Sequence, residues 1–461
     1  MMKKLLCILL MLCLALPLWA CGGDDDAWSK KSSLPTGGTW KLDCNVTLKS
    51  SVTISEDLVL DLNGHKITRN VTKDNTDDQH IITVVEGVNL TLTDSKSSGS
   101  VTVVYDRTAR SVTPAALILG KENSNIVIEG GTYDCSGVES MYKDAFGGAI
   151  ATDGKLTING GTILGYRNSA SSGKTAKEVD DPKELLVSGG GTAIAGWKHS
   201  EIVINGGDFI GGGCKNNNGG VIASCGNLTI NGGNFSVDTG LEGVKIVASN
   251  GGIIYMEKAE NNTLTINGGT FTTENVQYNG GIILTQVPTT ITNGTFNGGQ
   301  AYFGGIIMAD DCDLTIDGGD FIGPGGSTHE QSGGLIYSSG EKLTINGGSF
   351  KGGAAVKFGA NIYYLRAGGE MVIAGDTYIN GGFTIHGEPD APAKLTIKDK
   401  VVIDNTDAAP KAPWNIRMRN TLLYWGDNTD VSKTAGSENM DVSLVYDDSG
   451  VVCGFEDSTK K

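Results

Sequence analysis

The sequence is poor in proline and in aromatic side chains, and it has no excess of positive charge. Only 10 of its 461 residues are proline and 7% are aromatic, whereas 68 are glycine. Because these glycines recur in a regular pattern, they indicate ordered repeat material and exclude a flexible low-complexity linker. The formal net charge of -16 repels nucleic acid and anionic lipid, so neither is an expected partner.

The nine cysteines show neither a disulfide framework nor the spacing of a metal-binding knuckle. Cys7 and Cys13 lie in the N-terminal apolar stretch, and Cys21 follows it directly. Among the other six, Cys214 and Cys225 are the best candidates for a bridge, because only a Gly/Asn-rich bend separates them. Buried thiols account for these cysteines equally well. No motif predicts a cofactor.

The first 20 residues, MMKKLLCILLMLCLALPLWA, run from two lysines through a short apolar stretch to small residues, as in an export signal. They resemble the bacterial lipoprotein signal, which is cleaved before a cysteine that receives a lipid. That resemblance implies lipidation of Cys21, although a secretory signal with an incidental Cys21 also fits. Residues 21–38 contain GGDDD and resemble the acidic tether of Bacteroidota surface lipoproteins. We therefore expect a lipid-anchored protein of the outer membrane, exposed at the cell surface.

A short motif, represented by LTINGGTF, recurs along most of the chain. Its isoleucine is followed by a glycine-containing turn and then, in most copies, by an aromatic residue. Successive isoleucines are 25 to 46 residues apart, a period typical of a solenoid. The nine isoleucines are Ile128, Ile158, Ile204, Ile230, Ile266, Ile291, Ile316, Ile345 and Ile373.

A second motif, Gly-Gly followed by apolar residues, precedes most of these copies. It begins at Gly147, Gly219, Gly251, Gly280, Gly304 and Gly333. Because no amphipathic helix pattern occurs in these units, the predicted fold is an all-β parallel β-helix with three short strands per coil. We expect the β-helix over residues 39–407 and a C-terminal hairpin cap over residues 408–461, since an open β edge needs cover.

Stacking of like residues explains the constant letters, because neighbouring coils lie about 4.8 Å apart. In each LTI, Leu and Ile are expected inside and Thr outside. The phenylalanines are expected to form one internal column, flanked by Tyr133 and Tyr378: Phe209, Phe235, Phe271, Phe296, Phe321 and Phe350. The asparagines of INGG are expected to form an amide ladder at the corner, with Asp317 substituting once: Asn159, Asn205, Asn231, Asn267 and Asn346.

Two families share parts of this pattern. DLVLDLNGHKIT, at residues 57–68, resembles the first coil of the pectate-lyase-like superfamily, which implies a right-handed β-helix and, in its enzymes, carboxylates outside the first strand of each coil. The GGAI tetrapeptide followed by LTI resembles the repeats of chlamydial polymorphic outer-membrane proteins, which are adhesins. Their second hallmark, Phe-x-x-Asn, is missing here, so this resemblance covers the strands more than the family.

The second motif offers no catalytic carboxylates. Its strands IIYM, IILT, IIMA and LIYS contain no charged residue, whereas a glycosidase needs two carboxylates and a lyase needs a base. We therefore expect no catalytic residues, and the question of enzyme activity stays open with the balance against it. The same strands predict an outer apolar wall of Tyr255, Leu284, Met308 and Tyr337, together with one of the preceding aliphatic residues at Ile253, Ile282, Ile306 and Leu335. Such a wall is either covered or a contact surface for a partner.

The remaining candidates lie in turns and loops. Asp310 and Asp311 begin the densest acidic cluster, a weak metal candidate that solvated turn acids explain better. The insertions at residues 165–189 and 236–250 project from the scaffold, where solenoids often bind. The predicted function is a surface lipoprotein that acts as an adhesin or binding scaffold for a glycan or host protein. A polysaccharide lyase or glycoside hydrolase and a purely structural rod are the alternatives.

Overall fold

A computed structural model describes most of the chain. The described residues are 26–71, 80–105, 116–137, 139–140, 148–168, 190–238, 248–273, 276, 278–299, 301–323, 332–353, 361–404, 416–425, 433–434, 440–446 and 452–457. Over these ranges the regular structure is β-strand throughout, apart from isolated turns. None of them contains a helix with the length and hydropathy of a membrane span.

The strands are short, and the described ranges contain 46 of them. They are β1 Ala27–Trp28, β2 Gly38–Leu42, β3 Val46–Leu48, β4 Val52–Ile54, β5 Leu58–Asp61, β6 Lys66–Val71, β7 Ile82–Val84, β8 Asn89–Thr93, β9 Ser100–Tyr105, β10 Ile118–Gly120, β11 Asn125–Ile128, β12 Thr132–Asp134, β13 Glu139–Ser140, β14 Ile150–Thr152, β15 Lys155–Ile158, β16 Thr162–Leu164, β17 Arg167–Asn168, β18 Ile194–Gly196, β19 Glu201–Ile204, β20 Asp208–Gly211, β21 Cys214–Asn218, β22 Ile222–Ser224, β23 Asn227–Ile230, β24 Asn234–Val237, β25 Ala248–Asn250, β26 Ile254–Met256, β27 Leu264–Ile266, β28 Thr270–Thr273, β29 Ile283–Thr285, β30 Thr289–Ile291, β31 Thr295–Gly298, β32 Ile307–Ala309, β33 Leu314–Ile316, β34 Asp320–Ile322, β35 Ile336–Ser338, β36 Lys342–Lys351, β37 Ile362–Leu365, β38 Glu370–Asn380, β39 Phe383–His386, β40 Ala393–Ile397, β41 Val401–Asp404, β42 Ile416–Arg419, β43 Thr421–Trp425, β44 Lys433–Thr434, β45 Met440–Tyr446 and β46 Val452–Asp457.

These strands wind into a parallel β-helix, as the repeat predicts. Sheet 1 has 15 strands and receives one strand from each central coil, beginning with β4 and β7. Sheet 2 has 27 strands and receives two strands from each central coil, such as β27 and β28. A four-stranded sheet 3 is made of β13, β17, β21 and β25, so each of the four successive coils that contain these strands has a fourth strand. Each coil therefore pairs with the coils before and after it along the whole rod.

The interior is a continuous apolar core built from the repeated letters. In β27, Leu264 and Ile266 are fully buried while Thr265 between them is half-buried. Register keeps like residues together, because Leu264 pairs with Leu228 and Ile266 pairs with Ile230 and Ile291. This alternation places the same side chains inside in successive coils.

Glycines let the chain turn where coils approach closely. Gly269, the second glycine of INGG, has φ +108°, a conformation that side chains with a Cβ rarely adopt. Gly252 has an ordinary φ, but a Cβ there would lie 2.2 Å from the carbonyl oxygen of Gly281 in the next coil. The second glycine of the Gly-Gly pair before β26 is therefore required by the backbone-to-backbone distance between coils, whereas the first, Gly251, has φ +58°.

Both predicted boundaries of the β-helix need correction. At the N-terminus, β1 lies within residues 21–38 yet pairs in parallel with β2, so part of the predicted tether belongs to the fold. At the C-terminus, β42 and β43 pair in parallel with β39 and β40, so the coils continue beyond residue 407. Antiparallel strands then follow, with β45 pairing with both β42 and β46. The hairpin of β45 and β46 thus covers the end of sheet 1, and the boundary was placed too early because this last coil lacks the INGG motif.

Candidate functional site

The six phenylalanines of the repeat stack inside the rod. Successive rings lie 4.7–4.8 Å apart with interplanar angles of 3–9°. Tyr133 is also buried in this column, but Ile163 separates it from Phe209. The placement of Tyr378 was wrong, because a bulge before it pairs Phe350 with Ile379 instead. Tyr378 faces outward, where the Lys351 Nζ lies 5.4 Å from its ring centroid.

The asparagines of INGG form a hydrogen-bonded ladder on the outside of the rod. Each side-chain amide donates to the side-chain oxygen of the preceding coil, with distances of 2.7 Å from Asn205 to Asn159 and 2.7 Å from Asn231 to Asn205. Asn267 continues it at 2.8 Å, while Asn346 donates to Asp317 at 2.8 Å. These side chains are exposed, so the ladder is a surface feature and does not satisfy buried groups.

A second asparagine ladder was missed in the sequence. Asn250 donates to the Asn218 side chain at 2.8 Å, and the Asn279 backbone N–H donates to the Asn250 side chain at 3.1 Å. Each of these asparagines directly precedes the Gly-Gly pair of a sheet 1 strand. An asparagine directly before the Gly-Gly pair of a sheet 1 strand is therefore the sequence signal of this ladder.

The predicted apolar wall forms one row on the outer face of sheet 1. Register aligns Tyr255, Leu284, Met308 and Tyr337 in successive coils. Tyr255 and Leu284 are only 6% and 5% exposed and pack in one cluster, whereas Met308 and Tyr337 are half-buried. The aliphatic residues before them, Ile253, Ile282, Ile306 and Leu335, all lie in the core and do not belong to the wall.

Aromatic rings extend this wall across the edge of sheet 1. Tyr278 and Tyr302 are exposed by 46% and 38% and stack with centroids 6.4 Å apart. Phe303, which follows Tyr302, lies 5.0 Å from Tyr337, and Tyr337 lies 5.6 Å from Tyr363. We name these five residues, Tyr278, Tyr302, Phe303, Tyr337 and Tyr363, the aromatic band. The band comprises the stacked pair Tyr278–Tyr302 and the contacting rings of Phe303, Tyr337 and Tyr363, and its most exposed rings are those of Tyr278 and Tyr302.

Polar side chains line the other edge of the wall. Glu257, Gln286 and Asp310 each follow a sheet 1 strand directly and lie in three successive coils. The Gln286 Nε2 donates to the Asp310 Oδ2 at 3.0 Å, and the half-buried hydroxyl of Tyr337 has its pKa raised by burial and by the charge of Asp310. The strands themselves carry no charge, and these acidic and amide side chains, whose place beside the wall was not predicted, occupy the first turn positions after them.

Asp310 and Asp311, the weak metal candidate, have different surroundings. Asp311 accepts hydrogen bonds from Lys258 at 3.0 Å and from Arg366 at 2.8 Å. These two cations hold the pKa of Asp311 below its ordinary value, and Arg366 also pairs with Glu341. The charge of Asp311 is thus already neutralised by side chains of coils on both sides.

The cysteines occur as thiols wherever the structure describes their side chains: Cys44, Cys135, Cys225 and Cys312. The suggested bridge between Cys214 and Cys225 is therefore not formed. The Cys225 Sγ lies 3.8 Å from the carbonyl oxygen of Gly196, in the row of turn positions that follow sheet 1. Buried thiols were the other interpretation of these residues.

The remaining sequence candidates fall wholly or partly outside the described residues. Cys21 is outside the described residues, and so are residues 169–189 and 239–247 of the two insertions. Comparison of the chain with protein-family models, with curated proteins and with solved structures found no match. The geometry of the wall, the aromatic band and the polar turn positions therefore supplies the structural argument about function.

Proposed function

We propose that the protein is a surface lipoprotein that binds a neutral glycan along the aromatic band and the adjoining wall. The exposed, stacked pair of Tyr278 and Tyr302 carries this proposal. Among the described residues, five large hydrophobic side chains are exposed, and Tyr278 and Tyr302 are two of these five. The rings of these two tyrosines also stack on each other. Two adjacent, partly exposed tyrosine rings offer aromatic surface on which the apolar faces of sugar rings can pack.

The surroundings of this tyrosine pair suit a polyhydroxylated ligand. Concave or flat binding sites combine aromatic faces with a few placed polar groups. Here the wall has rings at one edge and Glu257, Gln286 and Asp310 at the other, and carboxylates and amides accept or donate hydrogen bonds to hydroxyl groups. From the coil of Tyr278 to that of Tyr363 there are three coil spacings, or roughly 14 Å, which is long enough for more than one sugar ring.

Charge favours a neutral over an acidic glycan. The chain has a net charge of -16, and the polar edge carries two carboxylates. A polyuronate would bring further negative charge to this edge and would be repelled. A host protein with a complementary apolar surface is the other ligand class, and it would contact the wall at Met308 and Tyr337.

Retention on immobilised polysaccharides tests the proposal. The mature protein should be retained on at least one neutral polysaccharide, and Tyr278→Ala and Tyr302→Ala should each weaken retention by about threefold to tenfold, because each removes one stacking face. Ile322→Ala is the matched control, since Ile322 is 42% exposed but lies on sheet 2 outside the band. The absence of retention on every neutral polysaccharide, or retention that both tyrosine variants preserve, would refute glycan binding at this site.

A glycoside hydrolase is the second candidate. Glu257 and Asp310 are two coils apart, so their backbones are separated by roughly 9.5 Å, close to the range of the two carboxylates in inverting enzymes. Release of reducing ends from a retained polysaccharide, abolished in Glu257→Gln and Asp310→Asn, would establish hydrolysis. Retention without product supports the binding scaffold.

The proposed anchor is supported by the N-terminal residues alone. A lipid on Cys21 would place the β-helix at the outer surface of the outer membrane. Cys21→Ala should move the protein from the membrane fraction to the soluble fraction, whereas the control variant Cys44→Ala should remain in the membrane fraction. Protease added to intact cells distinguishes surface exposure from an orientation toward the periplasm.

A further inference from the structure

A notch interrupts the line of turns that follows sheet 1. After β10 the chain makes the turn Lys121–Ser124, closed by a 3.0 Å bond from the Ser124 N–H to the Lys121 carbonyl. After β18 the turn Trp197–Ser200 closes in the same way at 3.0 Å. Between them, β14 and β15 are joined by Asp153 and Gly154 alone. The middle coil is therefore shorter at this corner than the coils on either side.

Asp153 forms the floor of this notch. Asp153 is only 5% exposed, although acidic residues in short turns are usually open to solvent. A Cβ on the following Gly154 would lie 2.3 Å from the carbonyl oxygen of Ser124, so the short turn fits tightly against the coil below. The longer neighbouring turns overhang Asp153 and carry Glu122 on one side and His199 on the other.

Three potential metal ligands converge in the notch. One ligand atom from each of Glu122, Asp153 and His199 lies within 4.8 Å of the other two. The Asp153 Oδ1 accepts the backbone N–H of His199 at 2.9 Å, which fixes the carboxylate. The other oxygen, Oδ2, lies 3.2 Å from the His199 Nδ1. This is the one group of its kind among the residues that the structure describes.

The separation of the Asp153 and His199 ligand atoms matches that around a small divalent ion, and the Glu122 carboxylate lies within 4.8 Å of both. Ligand atoms about 2.0–2.1 Å from zinc at a tetrahedral angle are roughly 3.3 Å apart, close to the separation of Asp153 Oδ2 and His199 Nδ1. Two carboxylates held this close repel each other, and a divalent cation removes that cost. Calcium fits less well, because it takes six to eight oxygen ligands and not an imidazole.

We propose that Glu122, Asp153 and His199 bind one first-row divalent metal ion, with Zn²⁺ as the best match. The three ligands come from three successive coils, so the ion would join coils that are otherwise linked here by backbone hydrogen bonds. Three protein ligands leave the fourth position of a tetrahedral zinc ion to water or to an exogenous group. The site is independent of the aromatic band and of the proposed glycan.

Calorimetric titration of the mature protein with ZnCl₂ tests the site, using a preparation without a polyhistidine tag. We expect one Zn²⁺ per chain, and Glu122→Gln and His199→Gln should each raise the dissociation constant at least about tenfold. Co²⁺ should bind in place of zinc with the visible absorption of a tetrahedral nitrogen and oxygen site. His65→Gln is the control, because His65 lies in another turn and should leave the titration unchanged.

The exposed position of Glu122 separates loss of binding from loss of fold, since Glu122→Gln changes no buried contact. The unbound variants should keep the circular dichroism spectrum of the parent, and saturating zinc should raise the melting temperature of the parent but not theirs. A titration with no saturable site, or one that Glu122→Gln and His199→Gln both leave unchanged, overturns the proposal.

Discussion

The rings of Phe271 and Phe296 stack with centroids 4.8 Å apart and planes 3° from parallel. These residues also pair in register across β28 and β31, so the ring spacing equals the strand spacing. A column of this kind fixes the register of each coil, because a slip of one residue would turn the ring outward. Stability along the rod should therefore depend on each ring in the column.

Replacing one ring with alanine should destabilise the rod strongly. Phe271 is fully buried between two other rings, so Phe271→Ala should lower the free energy of unfolding by about 3–5 kcal/mol, whereas Phe271→Leu should cost less than about 2 kcal/mol. Denaturant unfolding followed by circular dichroism measures both. Thr272→Ala, at the exposed position next to the ring, is the control and should change little. Equal effects of the two Phe271 variants would contradict the packing argument.

The exposed asparagine ladder should contribute modestly. Asn231 donates to Asn205 at 2.7 Å and accepts from Asn267 at 2.8 Å, and Asn231→Ala removes both bonds. Because water replaces hydrogen bonds at an exposed site, the loss should be about 1 kcal/mol. Asn231→Asp keeps an acceptor for Asn267 and should lose less, as Asp317 accepts from Asn346 in the native ladder. Unfolding midpoints of both variants provide the comparison, and an unchanged midpoint for Asn231→Ala would contradict it.

Close approach between coils makes some glycines irreplaceable irrespective of φ. In Gly252→Ala the new methyl group would lie 2.2 Å from the Gly281 carbonyl oxygen, so the next coil must shift, at a cost of about 1–3 kcal/mol. In Gly137→Ala no heavy atom lies within 4 Å, so stability should be unchanged or slightly raised. Thermal unfolding of the two variants distinguishes contact from backbone flexibility as the reason for the Gly-Gly motif.

Local repetition made most of the scaffold predictable from the sequence. The alternation in LTI and the phenylalanine five positions after its isoleucine determine which side chains lie inside, and both need only nearby residues. Tyr378 was misplaced because Gly375, with φ +64°, adds a residue to the strand and shifts the register of everything after it. A bulge of this kind changes one coil only, so the repeat cannot reveal it.

The candidate sites were harder to predict because their residues meet only through the winding of the coils. The sequence did not predict Tyr302 and Phe303 beside the wall, because both residues come before the Gly-Gly pair of their coil. Phe303 reaches Tyr337 of the wall from that preceding corner. Asp153 and His199 are 46 residues apart with an insertion between them, and Glu122 lies another coil away. Turn length decides which of these side chains converge, and unequal turn lengths become meaningful only once the coils are aligned.

The buried thiols of Cys225 and Cys312 should resist alkylation. Burial, together with the charges of Glu257 and Asp153, raises the pKa of Cys225 to about 12, and burial with the charge of Asp310 raises that of Cys312 to about 12. Thiolates are the reactive form, so at pH 8 iodoacetamide should label the half-buried Cys44 before Cys225 and Cys312, as peptide mass spectrometry can measure.

The same two buried thiols, Cys225 and Cys312, should make the stability of the protein fall at alkaline pH. Because their pKa values in the folded state are raised above the ordinary value of 9.0, the stability that they contribute is complete below about pH 9. It is lost as the pH rises toward 12. Cys225→Ala and Cys312→Ala should therefore flatten the fall in unfolding midpoint between about pH 9 and pH 11, and an equally steep fall in the double variant would show that other groups cause it.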